Sequence, residues 1–291
     1  MPLELGRVGF WVSSRLFPDD GGGEAARVAG ELEALGIPAL WLGGASPDLE
    51  LVSHLLRAGH RLVVATGIVS VWAESAAKLA ANVARVATQH PDRFVLGLGV
   101  SHGPLVEGSG MRYLRPYEKM VAYLDELDAA TPPVPKERRV LAALGPRMLR
   151  LAAERAAGAH PYLVTPEHTR RAREILGPGP LLAPEQKVVL ETDPRRAREI
   201  GRAVVARYLQ LPNYTNNLRW LGFTDEDLAG EGSDALVEAL VAWGTPEDIE
   251  ARVREHHAAG ADHVAVQVLS NPDAAGLPHE QWRLLAPVLT R

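Results

Sequence analysis

The chain has 291 residues, 46% of them hydrophobic, with a formal net charge of −5 and no cysteine. The mild acidity argues against nucleic acid or an anionic membrane as the main partner, and the missing cysteines exclude disulfides, thiolate metal sites and a thiol nucleophile. No segment approaches the ~18 uncharged apolar residues of a membrane span, and the start MPLELGRVGFW lacks a signal peptide's charged end and apolar core, so a soluble, cytoplasmic protein is expected.

In chain order, Val8 to Val12 is a first short strand and Glu24 to Leu35 a helix with Val28, Leu32 and Leu35 on one stripe. Ala39 to Leu42 is a second strand that exits into Gly43 and Gly44, and Leu49 to Arg57 a helix. Arg61 to Val71 is a third strand, its β-branched run interrupted by Gly67, and Glu74 to Thr88 an Ala-rich helix. Phe94 to Leu98 is the fourth strand, too short for a helix and apolar on both faces, as a parallel strand buried on both sides should be. Arg115 to Leu127 reads as helix, Arg139 to Ala143 as strand, Pro146 to Ala157 as helix, His160 to Val164 as strand, Pro166 to Leu176 as helix and Lys187 to Leu190 as strand. Asp193 to Leu209 opens on Asp-Pro, a helix start with proline in the first position. Pro212 to Asn217 read as a break, Ser233 to Trp243 as helix, and Gly244 to Ala259 as a Thr-capped helix. Asp262 to Leu269 is the last strand and Glu280 to Leu289 the closing helix.

Eight strands alternating with helices predict an α/β fold, a single (β/α)8 TIM barrel over residues 1–291, in line with the about 250 residues that such barrels need. Residues 103–114 and 211–243 are surplus and are expected to cap the C-terminal mouth, the edge where ligands bind in parallel α/β folds.

That edge selects the candidates. Gly97 and Gly99 weaken the fourth strand, which suggests a close approach to its backbone, and Val100, Ser101 and His102 follow at its exit. Of ten histidines, only His102, His168 and His279 are expected at the mouth. His168 reads as solvated and His279 as part of the last loop, while His160 and the other six read as structural. His102 is left as the catalytic candidate, with a pKa range suited to giving or taking a proton. Gly145-Pro146-Arg147 opens a helix whose free N–H groups and positive dipole end suit a phosphate, though an ordinary Pro-started helix looks the same. Thr165 reads as an N-cap whose backbone lies at the same mouth. Tyr214, Asn216 and Asn217 fit either the mouth or a turn, and Trp11, Trp41 and Trp72 fit core or pocket wall. No His/Asp/Glu cluster has metal-ligand spacing, and no Rossmann fingerprint, P-loop or G-x-S-x-G is present.

Four stretches, ATGIVSVW (65–72), RFVLGLGVSH (93–102), LAALGPRMLRLAAERAAG (141–158) and GTPEDIEARVREHHAAGADH (244–263), occur in the order and spacing of a known family. With them the chain resembles the luciferase-like flavin and deazaflavin oxidoreductases, in particular the branch that uses coenzyme F420. The resemblance implies a barrel, usually homodimeric through helices flanking the second and third strands, with a tricyclic ring at its mouth and a small organic substrate. It implies a cis peptide between Gly67 and Ile68 behind the ring, and places cofactor contacts at Thr66, Gly67, Ile68, Val100, Ser101, Ala143, Leu144, Gly145, Arg147 and Thr165. It further implies hydride transfer at deazaflavin C5. An FMN-dependent monooxygenase and a non-catalytic flavin-binding barrel are the alternatives. The polar pair that many members carry after the second strand is replaced here by Gly43, Gly44, Ala45 and Ser46.

Overall fold

The computed structural model describes residues 4–269 and 276–291. Among them are eleven short parallel strands: β1 Val8–Ser13, β2 Ala39–Gly43, β3 Val63–Thr66, β4 Val69–Ser70, β5 Phe94–Gly99, β6 Arg139–Leu141, β7 Gly158–Ala159, β8 Leu181–Leu182, β9 Glu185–Val189, β10 Val241–Trp243 and β11 Val264–Val268. They form one curled sheet in the order β10-β9-β11-β1-β2-β3-β5-β6-β7-β8, with β4 paired to β5. In register, Phe10 faces Leu40, Val64 faces Phe94 and Leu96 faces Arg139.

The two-residue period of a strand sorts its side chains into two cores. Leu40, Leu42, Val64, Leu96, Leu98, Val264 and Val266 point outward and pack under the helices. Trp41, Val63, Ala65, Val95, Val140 and Ala265 point inward and fill the inside of the curl together with Trp11. Most of these inner residues are small, which leaves room for Trp11 and Trp41. Caps fix where several helices start. Ser75, Thr165, Asp193 and Thr245 each accept a backbone N–H of the first turn, and the last three are followed directly by proline.

The third expected strand is split in two at a cis peptide between Gly67 and Ile68. Across this interruption Thr66 Oγ1 donates to the Gly97 carbonyl (2.9 Å) and accepts from the Gly97 N–H (2.7 Å). Glycine is required at 97 because a Cβ there would lie 1.8 Å from the Thr66 carbonyl oxygen.

Several expected elements differ from those observed. The strand placed at His160–Val164 lies earlier, at Gly158–Ala159, because Pro161 has no N–H and Leu163 takes φ 56°. The strand placed at Lys187–Leu190 spans Glu185–Val189, its start shifted because the polar Glu185 and Gln186 give no apolar signal of a buried strand. Pro212 does not break the chain but begins the helix Pro212–Leu221. The helix expected to reach Trp243 ends at Leu240, and the residues after it form β10. Arg139–Ala143 shortens to Arg139–Leu141. The surplus residues 103–114 carry a short helix, Gly103–Gly108.

Candidate active site at the strand ends

A cavity of about 1,110 Å³ opens at the C-terminal ends of the strands. Its wall is built from the residues that end or follow them: Ser13, Gly43, Gly67 with Ile68, Gly99 to His102, Ala142 to Pro146, His160 and Gln267 to Leu269. The helix Pro212–Leu221 and the last turns of the helix Pro194–Leu209 close the other side, with Arg207, Tyr208, Tyr214, Asn217 and Trp220.

Of the candidates from the sequence, Gly67, Ile68, Val100, Ser101, His102, Ala143, Leu144 and Gly145 line this cavity. Thr66 lies behind the wall, fully buried and spent on Gly97. Thr165 also lies outside the lining, where its hydroxyl caps the helix Pro166–Leu176. The Arg147 side chain is 70% exposed, 4.2 Å from the Tyr117 ring and 3.8 Å from Glu118, and does not line the cavity. The helix that it opens still presents its start there through Gly145 and Pro146, and no side chain caps that start.

His102 is half-buried at the head of the helix Gly103–Gly108, its ring 5.4 Å from that of Tyr214. Its Nδ1 is buried without a partner among the described residues. Burial lowers its pKa from the ordinary 6.5, opposed by a hydrogen bond that the ring donates to Asn213. The ring is therefore neutral at pH 7 and better suited to accept a proton than to donate one.

Two histidine expectations are corrected. His168, expected in solvent, is fully buried, with its pKa pushed down to about 4 by burial. Its Nε2 donates to the Leu144 carbonyl at 2.9 Å, which ties down the loop before the helix start. His279, expected at the mouth, lies in the helix His279–Leu289 and bridges Glu24 and Glu31 of the helix Gly23–Ala34. His160, read as a structural residue, does reach the cavity.

The polar cluster beneath the floor had no signal in the sequence. Lys187 Nζ and Glu185 Oε1 pair at 2.9 Å with both side chains fully buried. Lys187 also donates to Gln267 Oε1 (3.1 Å) and lies 3.6 Å from the centre of the Tyr162 ring. Tyr162 donates to the same Gln267 oxygen at 2.9 Å and accepts from Tyr208 at 3.0 Å. Glu185 Oε2 accepts the Leu163 N–H at 3.0 Å. Burial pushes Glu185 up and Lys187 down, and their mutual attraction opposes both shifts. Alternation would have revealed these residues only if it were known that the inside of the curl can be polar.

The mouth carries two further cations. Arg15 and Arg207 line it, neither forms an ion pair among the described residues, and no Asp or Glu is among the lining residues described. The side-chain amide of Asn217, a 5% exposed residue on this wall, has neither its Oδ1 nor its Nδ2 bonded among the described residues.

A parallel α/β sheet with its cavity at the strand ends and a backbone interruption after β3 defines a class of ligand-binding enzyme folds. Within that class the chain belongs to the luciferase-like monooxygenase family, whose sequence profile matches residues 7–263. Solved structures of the same fold include an F420-dependent secondary alcohol dehydrogenase with an F420–acetone adduct, 14% identical with a TM-score of 0.71 over 99% of both chains. Another is the coenzyme F420-dependent tetrahydromethanopterin reductase of Methanopyrus kandleri, 17% identical at TM-score 0.67 over 96% of this chain and 97% of that one. A third is a type II Baeyer–Villiger monooxygenase of Pseudomonas putida in complex with FMN, 13% identical at TM-score 0.68 over 98% of each chain. No curated protein matches the chain in sequence. Among the described residues, no helix is long and apolar enough to cross a membrane.

Proposed function

We propose that the protein is an F420-dependent oxidoreductase that moves a hydride between deazaflavin C5 and an electron-poor C=C, C=N or carbonyl group of a small organic substrate. The observation that carries this reading is the build of the cavity. It offers about 1,110 Å³, with the Gly67–Ile68 interruption on one wall and an uncapped helix start at Gly145 on another. That is slightly more than the about 300–1,000 Å³ of ordinary small-molecule sites, enough for a tricyclic ring with a substrate beside it. F420-dependent enzymes among the structural neighbours support the cofactor by analogy of fold. The sheet is read as one closed (β/α)8 barrel. Two bonds, Ala183 N–H to the Ala159 carbonyl and Glu185 N–H to the Pro161 carbonyl, support this by carrying the pairing past Pro184, between β8 and β9.

The residues present fit such a group. Gly67 and Ile68 would back the ring, and Val100 and Ser101 would flank it. The helix start at Gly145, with Ala143, Leu144 and the cations Arg15 and Arg207, would receive an anionic tail. The free amide of Asn217 would meet a polar ring edge that both donates and accepts. Bound there, the cofactor would supply the hydride, and the protein supplies orientation and exclusion of water. His102 Nδ1, neutral and without a partner, would accept or relay a proton at the substrate.

A second reading, an FMN-dependent monooxygenase, is favoured by the family's description and by the FMN-bound neighbour. Titrating the protein separately with F420 and FMN and measuring both affinities decides between them. Micromolar binding of F420 alone supports the first reading. Binding of FMN with oxygen-dependent turnover supports the second, binding of both without turnover a non-catalytic protein, and binding of neither refutes all three. A homodimer through the helices flanking β2 and β3 belongs to the same reading, and sedimentation at about the 31.4 kDa of one chain would refute it.

A further inference from the structure

Two nitrogens on the cavity wall have no partner among the described residues. Trp11 Nε1 and His160 Nε2 are both buried and unbonded, and both residues line the cavity while being only 7% and 1% exposed. They converge on one place. A Cβ built on Gly67 would stand 2.7 Å from Trp11 Nε1 and 3.0 Å from His160 Nε2. Both nitrogens thus face the same side of Gly67, where any side chain would crowd them.

The hydrogen-bonding sense of each nitrogen is fixed. An indole N–H only donates. His160 Nδ1 lies 2.7 Å from the Ala183 carbonyl, which can only accept, so Nδ1 carries the proton and Nε2 is left as a bare acceptor. Burial keeps the ring neutral, with its pKa pushed down to about 3. Neither ring is free to turn toward another partner. Trp11 covers Gly43, where a Cβ would meet its ring at 2.0 Å, and it lies 5.1 Å from Tyr162. His160 is stacked on Trp41 with ring centres 4.1 Å apart, and Trp41 is itself held by a hydrogen bond to His263. A rigid donor and a rigid acceptor, both buried and both unpaired among the described residues, form a built site.

We propose that Trp11 and His160 form a subsite for a neutral hydroxyl group, whose oxygen accepts from Trp11 Nε1 and whose hydrogen is donated to His160 Nε2. The alternatives match less well. A carboxylate or phosphate would face the Nε2 lone pair, a ketone would leave His160 unpaired, and a methyl group would leave both unpaired. The source of the hydroxyl rests on the function proposed above, since the deazaflavin ring carries a phenolic hydroxyl where FMN carries a methyl group, and an alcohol substrate would also carry one.

The test uses phenol and toluene as a hydroxyl–methyl pair, titrated against the cofactor-free protein, Trp11→Phe and His160→Phe, with folding checked by thermal melting. Phenol binding is expected to weaken about 5–10-fold relative to toluene in both variants, the size of one lost hydrogen bond. F420 and FMN affinities of the same proteins then name the source. F420 weakened 5–10-fold with FMN unchanged assigns the hydroxyl to the cofactor, and both unchanged assigns it to the substrate. A phenol-to-toluene ratio that both folded variants keep overturns the proposal and leaves the pair to an ordered water. Because that arm needs no cofactor, it stands even if neither F420 nor FMN binds.

Discussion

Replacing Lys187 by methionine tests whether the ion pair beneath the cavity is held by its geometry alone. Methionine keeps much of the length and apolar volume of the lysine stem but removes the charge facing Glu185 at 2.9 Å. Glu185 then keeps only the Leu163 N–H, and an unpaired charge in a dry interior is expected to cost about 3–5 kcal/mol at pH 7. The loss should depend on pH in a set direction. Burial already raises the folded-state pKa of Glu185 above the ordinary carboxylate value, and with its cation gone it rises further. A raised pKa contributes stability that is complete below the unfolded value and is lost as pH rises toward the folded one. Lowering the pH from 7 to 5 should therefore return about 1.4 kcal/mol per unit relative to wild type, for as long as the folded pKa stays above the working pH. Urea unfolding of both proteins at pH 5, 6 and 7 measures this directly. A loss below about 1 kcal/mol, or one equal at every pH, would refute the account. The double variant Lys187→Met with Glu185→Gln should recover much of the stability, because no charge is left unpaired.

Other expectations follow from single contacts. Gly97→Ala drives a Cβ toward the Thr66 carbonyl, 1.8 Å away, and should cost at least about 2 kcal/mol in thermal or denaturant unfolding. Because the His102 pKa is lowered from 6.5, a neutral, proton-accepting His102 gives a kcat/KM that falls on the acid side with an apparent pKa below 6.5. His102→Asn should remove that limb and lower kcat by about 10²–10⁴, whereas a fall with rising pH through the same pKa would mark a general acid instead. Arg15→Ala and Arg207→Ala should each weaken an anionic cofactor by about 1.5–3 kcal/mol, an effect that shrinks in high salt. Arg147→Ala, with its side chain turned onto Tyr117, should change the affinity by less than either.

The alternation of strands and helices was legible in the chain because it follows from local rules. Short apolar runs between glycines, helices opened by Thr-Pro or Asp-Pro, and Gly97 and Gly99 in the fourth strand all stand where the structure has them. Those rules also bring Val100 to His102 and Ala143 to Gly145 to one edge, since in a parallel sheet every strand exit faces the same way. The chain alone misplaced what depends on distant partners. β9 was placed at Lys187–Leu190, two residues late, because nothing local marks the polar Glu185 and Gln186 as buried, and only the pairing of Glu185 with Lys187 makes such a strand start tolerable inside. His168 looked solvated because nothing local shows that its Nε2 will find the Leu144 carbonyl 24 residues away. Trp11 was read as core or pocket wall and His160 as structural, because each is a ring on or beside an apolar strand. That they converge beside Gly67 is a property of the curl of the sheet, which brings the ends of β1, β3 and β7 together although none of these strands pairs with another, and which no single stretch of sequence contains.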